Sequence, residues 1–125
     1  MAHVLVMDDE EPLRGVLVRA LERAGHEAFE AENGADGLKQ VKNRPVDLVV
    51  TDLVMPEMDG LEFIRELGRL RPGTRVIAIS GGGIWDKESL LTVAGMLGAL
   101  KTLSKPFELS DFLKLVDEVL APGAH

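Results

Sequence analysis

The chain has 125 residues, enough to close one hydrophobic core and too few for two. Hydrophobic residues at 46% and charged residues at 28% exclude a disordered protein, and a net charge of −7 opposes non-specific contact with nucleic acid or an anionic membrane. The absence of cysteine excludes disulfides, thiolate chemistry and cysteine-bound metals, and no apolar run is long enough for a membrane-spanning helix.

In chain order, strands and helices alternate five times. The apolar run His3 to Met7 reads as a strand ending on Asp8-Asp9, with no basic leader before it, so the expected location is the cytoplasm. Pro12 stands where helices begin, and Leu13, Val16, Leu17, Ala20, Leu21 and Ala24 follow at helical spacing until Gly25. His26 to Glu32 is a second strand, Asn33-Gly34 a turn, and Ala35 to Lys42 a second helix. Val46 to Thr51 is the clearest strand, because Leu48, Val49 and Val50 run together as in a parallel strand covered on both faces. A loop from Leu53 to Asp59 leads to a helix from Gly60 to about Leu70, closed by Pro72-Gly73. Val76 to Ile79 is the fourth strand, followed by Ser80 and three glycines, then a helix over about Asp86 to Leu97. A fifth strand spans Ala99 to Ser104. The last helix, Leu109 to Leu120, carries Leu109, Phe112, Leu113, Val116, Val119 and Leu120 as its buried stripe. Residues 1–120 thus read as one domain and 121–125 as a flexible tail.

Such alternation predicts an α/β fold, a single doubly wound, five-stranded parallel sheet with helices on both faces. Right-handed crossovers favour the flavodoxin-like strand order 2-1-3-4-5, in which ligands bind beyond the carboxyl ends of the strands. At those ends stand Asp8 and Asp9, Asp52, Ser80 and Lys105-Pro106. Singly, each is explained by a helix cap, a turn or a strand exit. Together at four ends of one sheet they are not. Three carboxylates within about 4 Å of one another repel by roughly 4 kcal/mol per pair at a surface-like dielectric. Either some take up protons or a cation sits among them, and oxygen ligands favour a hard divalent ion such as magnesium. A metal, a third carboxylate, a lysine and a hydroxyl form a set suited to phosphoryl transfer, with the carboxylate as nucleophile.

From about Val4 to Leu120 the chain resembles the response-regulator receiver domains (CheY-like) of two-component signalling. The resemblance rests on Val6-Met7-Asp8-Asp9-Glu10, on Asp47 through Asp52 to Met55-Pro56 and Asp59-Gly60, on Ile79-Ser80-Gly81, and on Gly98-Ala99 leading to Lys105-Pro106-Phe107. It implies that Asp52 is the phosphoacceptor. Asp9, Asp52 and the carbonyl of Val54 would bind Mg2+ (or Mn2+) directly, and Asp8 through water. Ser80 would bind a phosphoryl oxygen, and Lys105 would pair with the phosphoryl group or, at rest, with Asp52. Pro106 would follow a cis peptide bond, and Gly60 would start its helix where a side chain would crowd the site. The implied partners are a sensor histidine kinase or histidine phosphotransfer protein and a downstream protein target, with no direct nucleic acid or membrane contact. Output would pass through the face formed by the fourth helix, fifth strand and last helix. Such a protein catalyses its own phosphorylation and dephosphorylation and is not a turnover enzyme.

Three features depart from, or sharpen, the pattern. Thr102 replaces the aromatic residue that relays the switch in relatives, Ser80 is followed by Gly81-Gly82-Gly83, and Val54 and Gly82 offer no side chain to position a hydrolytic water. Trp85, the sole tryptophan, is a packing residue or a contact for the target. The chain reads either as a stand-alone receiver or as part of a larger regulator with a DNA-binding or enzymatic output domain. A phosphatase using an aspartate nucleophile is the less favoured alternative, since Leu53-Val54 follows Asp52 where a DxD motif is expected. Asp8-Asp9-Glu10-Glu11 would repel the phosphate of a flavin.

Overall fold

Side chains alternate along β1 (His3–Met7): Val4 and Val6 enter one hydrophobic cluster, Leu5 and Met7 another, and all four are fully buried. That strand is therefore covered on both faces. The computed structural model describes residues 1–53, 60–80, 92, 95 and 98–121. Its further elements are α1 (Glu11–Arg23), β2 (Glu27–Ala31), α2 (Gly34–Asn43), β3 (Leu48–Asp52), α3 (Gly60–Leu70), β4 (Arg75–Ser80), β5 (Lys101–Ser104) and α4 (Leu109–Leu120). All strand pairs are parallel, and the order is β2-β1-β3-β4-β5, the flavodoxin-like order expected from the sequence.

The helices divide between the two clusters. Leu17, Val18 and Leu21 of α1 join Phe112, Val116 and Val119 of α4 over Val4, Val6, Val50, Ile77 and Ile79. On the other face Val41 of α2 and Phe63, Ile64 and Leu67 of α3 cover Leu5, Met7, Val49 and Ala78. Each such side chain, fully buried, contributes roughly 1.5–3 kcal/mol, so the two layers fix the sheet's position between them. Helix ends follow local chemistry. Gly25, at φ 95°, lets its N–H reach the Glu22 carbonyl at 3.0 Å and the His26 N–H reach the Leu21 carbonyl at 3.0 Å. Asn33 Oδ1 accepts the Asp36 N–H at 2.8 Å and so caps α2.

The structure corrects parts of the expected stripes. Val16 is exposed while Val18 is buried, because the two lie on opposite flanks of Leu17 and the sheet covers only one. Ala24 is the exposed cap residue beyond α1, and Leu109, the first residue of α4, is exposed at the helix start. β3 runs one residue further than expected, so Asp52 is its last residue, and β5 begins at Lys101 rather than Ala99. Of the helix expected over 86–97, only Thr92 and Gly95 are among the described residues, and both are helical. Tail residues 122–125 lie outside the described residues.

Candidate functional site

Parallel register brings the strand ends to one edge: Met7 lies beside Thr51, Asp52 beside Ile79, and Ser80 beside Ser104. Asp8 follows β1 immediately, Asp52 closes β3, Ser80 closes β4 and Lys105 follows β5. The pairing continues past the strands. The Asp8 N–H donates to the Ala31 carbonyl at 3.2 Å, the Leu53 N–H to Ile79 at 3.0 Å, and the Lys105 N–H to Ser80 at 2.8 Å. The Lys105-Pro106 peptide bond is cis, as expected.

Lys105 is the electrostatic centre. Its Nζ lies 3.0 Å from Asp52 Oδ2, 3.2 Å from Asp8 Oδ2 and 3.3 Å from Glu10 Oε1. Asp8 and Asp52 are buried, the Lys105 side chain is 13% exposed and that of Glu10 60% exposed. Burial alone would lower the Lys105 pKa. The hydrogen bond and charge of Asp52, followed by the charge of Asp8, outweigh it and hold the ammonium above its ordinary range. Asp8 moves upward too: burial is the main cause and the charge of Asp52 adds to it, against the Glu10 N–H, which donates to Asp8 Oδ1 at 2.8 Å, and against Lys105. One ammonium cannot compensate three carboxylates.

Among the described residues, two buried atoms in this arrangement accept and donate no hydrogen bond: Asp8 Oδ2 and Ser80 Oγ. The first is an ion-pair neighbour of Lys105 but is too poorly aligned for a hydrogen bond. Buried polar atoms left so are costly, and both are suited to a group that enters the site. One carboxylate oxygen each from Asp8, Glu10 and Asp52 lie within 4.8 Å of one another, an all-oxygen donor set that could hold a metal ion.

Of the residues singled out from the sequence, the structure brings Asp8, Asp52, Ser80 and Lys105 to one edge. Asp9, implied as a direct metal ligand, is exposed and lies outside the three clustered carboxylates, which include Glu10. The chain bends at Asp9, just past the end of β1, where the Glu10 N–H turns back to Asp8 Oδ1. Gly60 stands where expected for the reason expected. A Cβ there would overlap the Asp52 carbonyl oxygen and lie 2.7 Å from Leu53 Cα. Thr102 is exposed on β5. Val54, Trp85 and the glycines at 81–83 lie outside the described residues. Arg14 was not foreseen. It is largely buried, donates from Nη1 to the Asp8 carbonyl at 2.7 Å, and pairs with Glu30 at 2.9 Å, tying α1 and β2 to the turn that carries Asp8.

Residues 4–117 match the family model of the response regulator receiver domain. The chain is 33% identical to the response regulator receiver protein CpdR of Brucella abortus, over 96% of this chain and 98% of that protein. It is 36% identical to the DNA-binding transcriptional regulator NtrC of Azospirillum brasilense over 95% of its own length, but only 24% of NtrC. A solved response regulator from Burkholderia pseudomallei, described with a phosphorylated aspartic acid, a calcium ion and citrate, matches with a TM-score of 0.82. The two are 27% identical over 99% of this chain and 69% of that one.

Proposed function

The chain belongs to the response regulator receiver domain family of two-component systems, and from that premise we propose that Asp52 is its phosphoacceptor. The observation that carries the proposal is the pairing of Asp52 Oδ2 with Lys105 Nζ at 3.0 Å, at the end of a strand where the buried Ser80 hydroxyl has no partner. A carboxylate oxygen of Asp52 attacks the phosphorus of a phosphohistidine. The P–N bond breaks, its electron pair leaves on the imidazole nitrogen, and an acyl phosphate forms. Lys105 neutralises charge on the transferring oxygens and Ser80 donates to one of them. Mg2+ (or Mn2+) held directly by Asp9, Asp52 and the Val54 carbonyl, with Asp8 acting through water, would supply further neutralisation of phosphoryl charge. The calcium ion and phosphorylated aspartic acid of the Burkholderia relative support this reading.

The phosphodonor is a sensor histidine kinase or a histidine phosphotransfer protein, and the output is a contact with another protein. Relatives of both kinds, one matched over nearly its whole length and one over a quarter of it, support either a stand-alone receiver or the receiver of a larger regulator. The protein acts on its own carboxylate and is not a turnover enzyme. No helix among the described residues is long and apolar enough to cross a membrane, and a cytoplasmic location is the reading that suits a kinase partner.

With magnesium and a small acyl phosphate such as acetyl phosphate, the protein is expected to gain the mass of one phosphoryl group, labile to base. Asp52→Asn is expected to stay unmodified. Modification retained on that variant would place the acceptor elsewhere.

A further inference from the structure

We propose that Arg14 is a positioning residue for the acidic turn at residues 8–10, its guanidinium fork holding the turn's backbone where a divalent cation can be received. This rests on the reading of Asp52 and its metal given above. It holds whichever oxygens the cation takes, because the backbone of the turn places all of its carboxylates. β1 ends at Met7, so the Asp8 carbonyl lies past the last strand residue. Arg14 Nη1 donates to that carbonyl at 2.7 Å. The same guanidinium donates from Nε to Glu30 Oε1 of β2 at 2.9 Å, and the Arg14 N–H donates to the Glu10 carbonyl at 3.0 Å. Arg14 thus holds both ends of the turn, one by its side chain and the other by its backbone.

The turn needs holding. Asp8, Asp9 and Glu10 are consecutive acids, and repulsion among them and with the buried Asp52 favours a turn splayed toward solvent. Among the described residues the Arg14 side chain bonds no carboxylate of the turn; its partners are the main chain and Glu30. It therefore restrains the turn without competing with a cation for its oxygens. The anchor is firm at both prongs. The Arg14 side chain is only 13% exposed, and the residue it is tethered to is itself fixed, the Glu30 carbonyl accepting Gln40 Nε2 at 2.7 Å. A planar guanidinium presents two donors in fixed relation, which a lysine ammonium cannot reproduce.

The test is the affinity of the full chain for magnesium ion, measured by calorimetry with magnesium chloride. The sign of the change separates two roles. If Arg14 acted through its charge alone, removing it would relieve repulsion of the cation and tighten binding. As a positioning residue, Arg14→Met is expected to weaken binding about tenfold, the size of loss seen when a group that orients metal ligands is removed. Arg14→Lys keeps the charge and loses the fork, and is expected to bind about threefold more weakly than the parent. Unchanged or tighter binding in Arg14→Met, or parent-like binding in Arg14→Lys, would overturn the proposal. Should Arg14→Met fail to fold, Arg14→Lys carries the test. With acetyl phosphate, the magnesium concentration giving half the maximal uptake rate is expected to rise about tenfold in Arg14→Met, while the maximal rate changes by less than about threefold. A maximal rate lost at an unchanged half-point would mark general damage to the fold and overturn the positioning role. A parent that binds no magnesium would overturn the metal reading itself, a different failure from variants that bind as well as the parent.

Discussion

A carboxylate buried as completely as Asp8 is retained at a cost to folding, and the upward displacement of its pKa gives the sign. Burial and the charge of Asp52 outweigh the Glu10 N–H and Lys105, so the native state holds the Asp8 proton more tightly than the unfolded chain does. The corresponding stability is fully present below the ordinary value of 3.8 and is lost as pH rises through the raised native value. At neutral pH the ionised Asp8 is therefore a net burden in the metal-free protein. Asp8→Asn is expected to raise metal-free stability at pH 7 by about 1–2 kcal/mol. Urea unfolding across pH should show the gain shrinking toward zero as the parent's Asp8 takes up its proton. Magnesium should stabilise the variant less than the parent, since a ligand stabilises only in proportion to its affinity for the native state. A variant less stable than the parent at pH 7 would mean that Lys105 depends on Asp8 more than Asp8 suffers from Asp52. Asp9, by contrast, is exposed and lies outside the clustered carboxylates. Residue types and strand ends were legible, but the side to which each of three consecutive acids points depends on where the strand stops pairing. The Arg14 contact to the Asp8 carbonyl had no sequence signal, because its partner is a backbone atom.

The elements meet the site through backbone as much as through side chains, and two glycines separate the possible reasons for having no Cβ. At Gly60 the obstacle is packing: α3 begins against the Asp52 carbonyl, and a methyl group would displace the end of β3. At Gly25 there is open space, and the obstacle is the φ of 95° that closes α1. Gly25→Ala is expected to cost about 1 kcal/mol and to leave the rate of phosphoryl uptake from acetyl phosphate unchanged. Gly60→Ala is expected to cost about 2–3 kcal/mol and to slow that uptake, because the displaced atoms belong to the acceptor residue. Unfolding midpoints and uptake rates on the two variants check both. Equal effects on the rate would remove the distinction. Helix and strand identities were legible because apolar spacing and the breakers Gly25, Asn33-Gly34 and Pro72-Gly73 agree. The flanks of the stripes were not. Val16 and Val18 are interchangeable in pattern, and only the direction from which the sheet approaches α1 decides which is covered.

At the scale of the whole molecule, a phosphoryl group on Asp52 must be felt at a distance, and the connections run through β4 and β5. Ser80 is the last residue of β4; its hydroxyl is buried and has no hydrogen-bond partner, and its carbonyl accepts the Lys105 N–H. Ser80 also pairs with Ser104 in register. A phosphoryl oxygen that draws in the Ser80 hydroxyl therefore pulls on the chain directly after β4 and on the β5 exit together, a local shift able to bias a two-state element. Thr102 lies two residues before that exit, exposed, on a strand position paired with Ala78 rather than with Ser80. No ring is available there to follow the hydroxyl inward. Signal should thus leave through the backbone that follows Ser80, toward Trp85 five residues on, with Thr102 a bystander. Adding beryllofluoride, a phosphoryl mimic, with magnesium is expected to change Trp85 fluorescence in the parent, beyond the change given by magnesium alone. Thr102→Ala is expected to retain most of that change, and Ser80→Ala to lose it while still binding magnesium. The discriminating comparison is between those two variants. If Thr102→Ala loses the change while its Asp52 is phosphorylated at the parent's rate, the threonine is itself the relay and the backbone route through Ser80 is wrong.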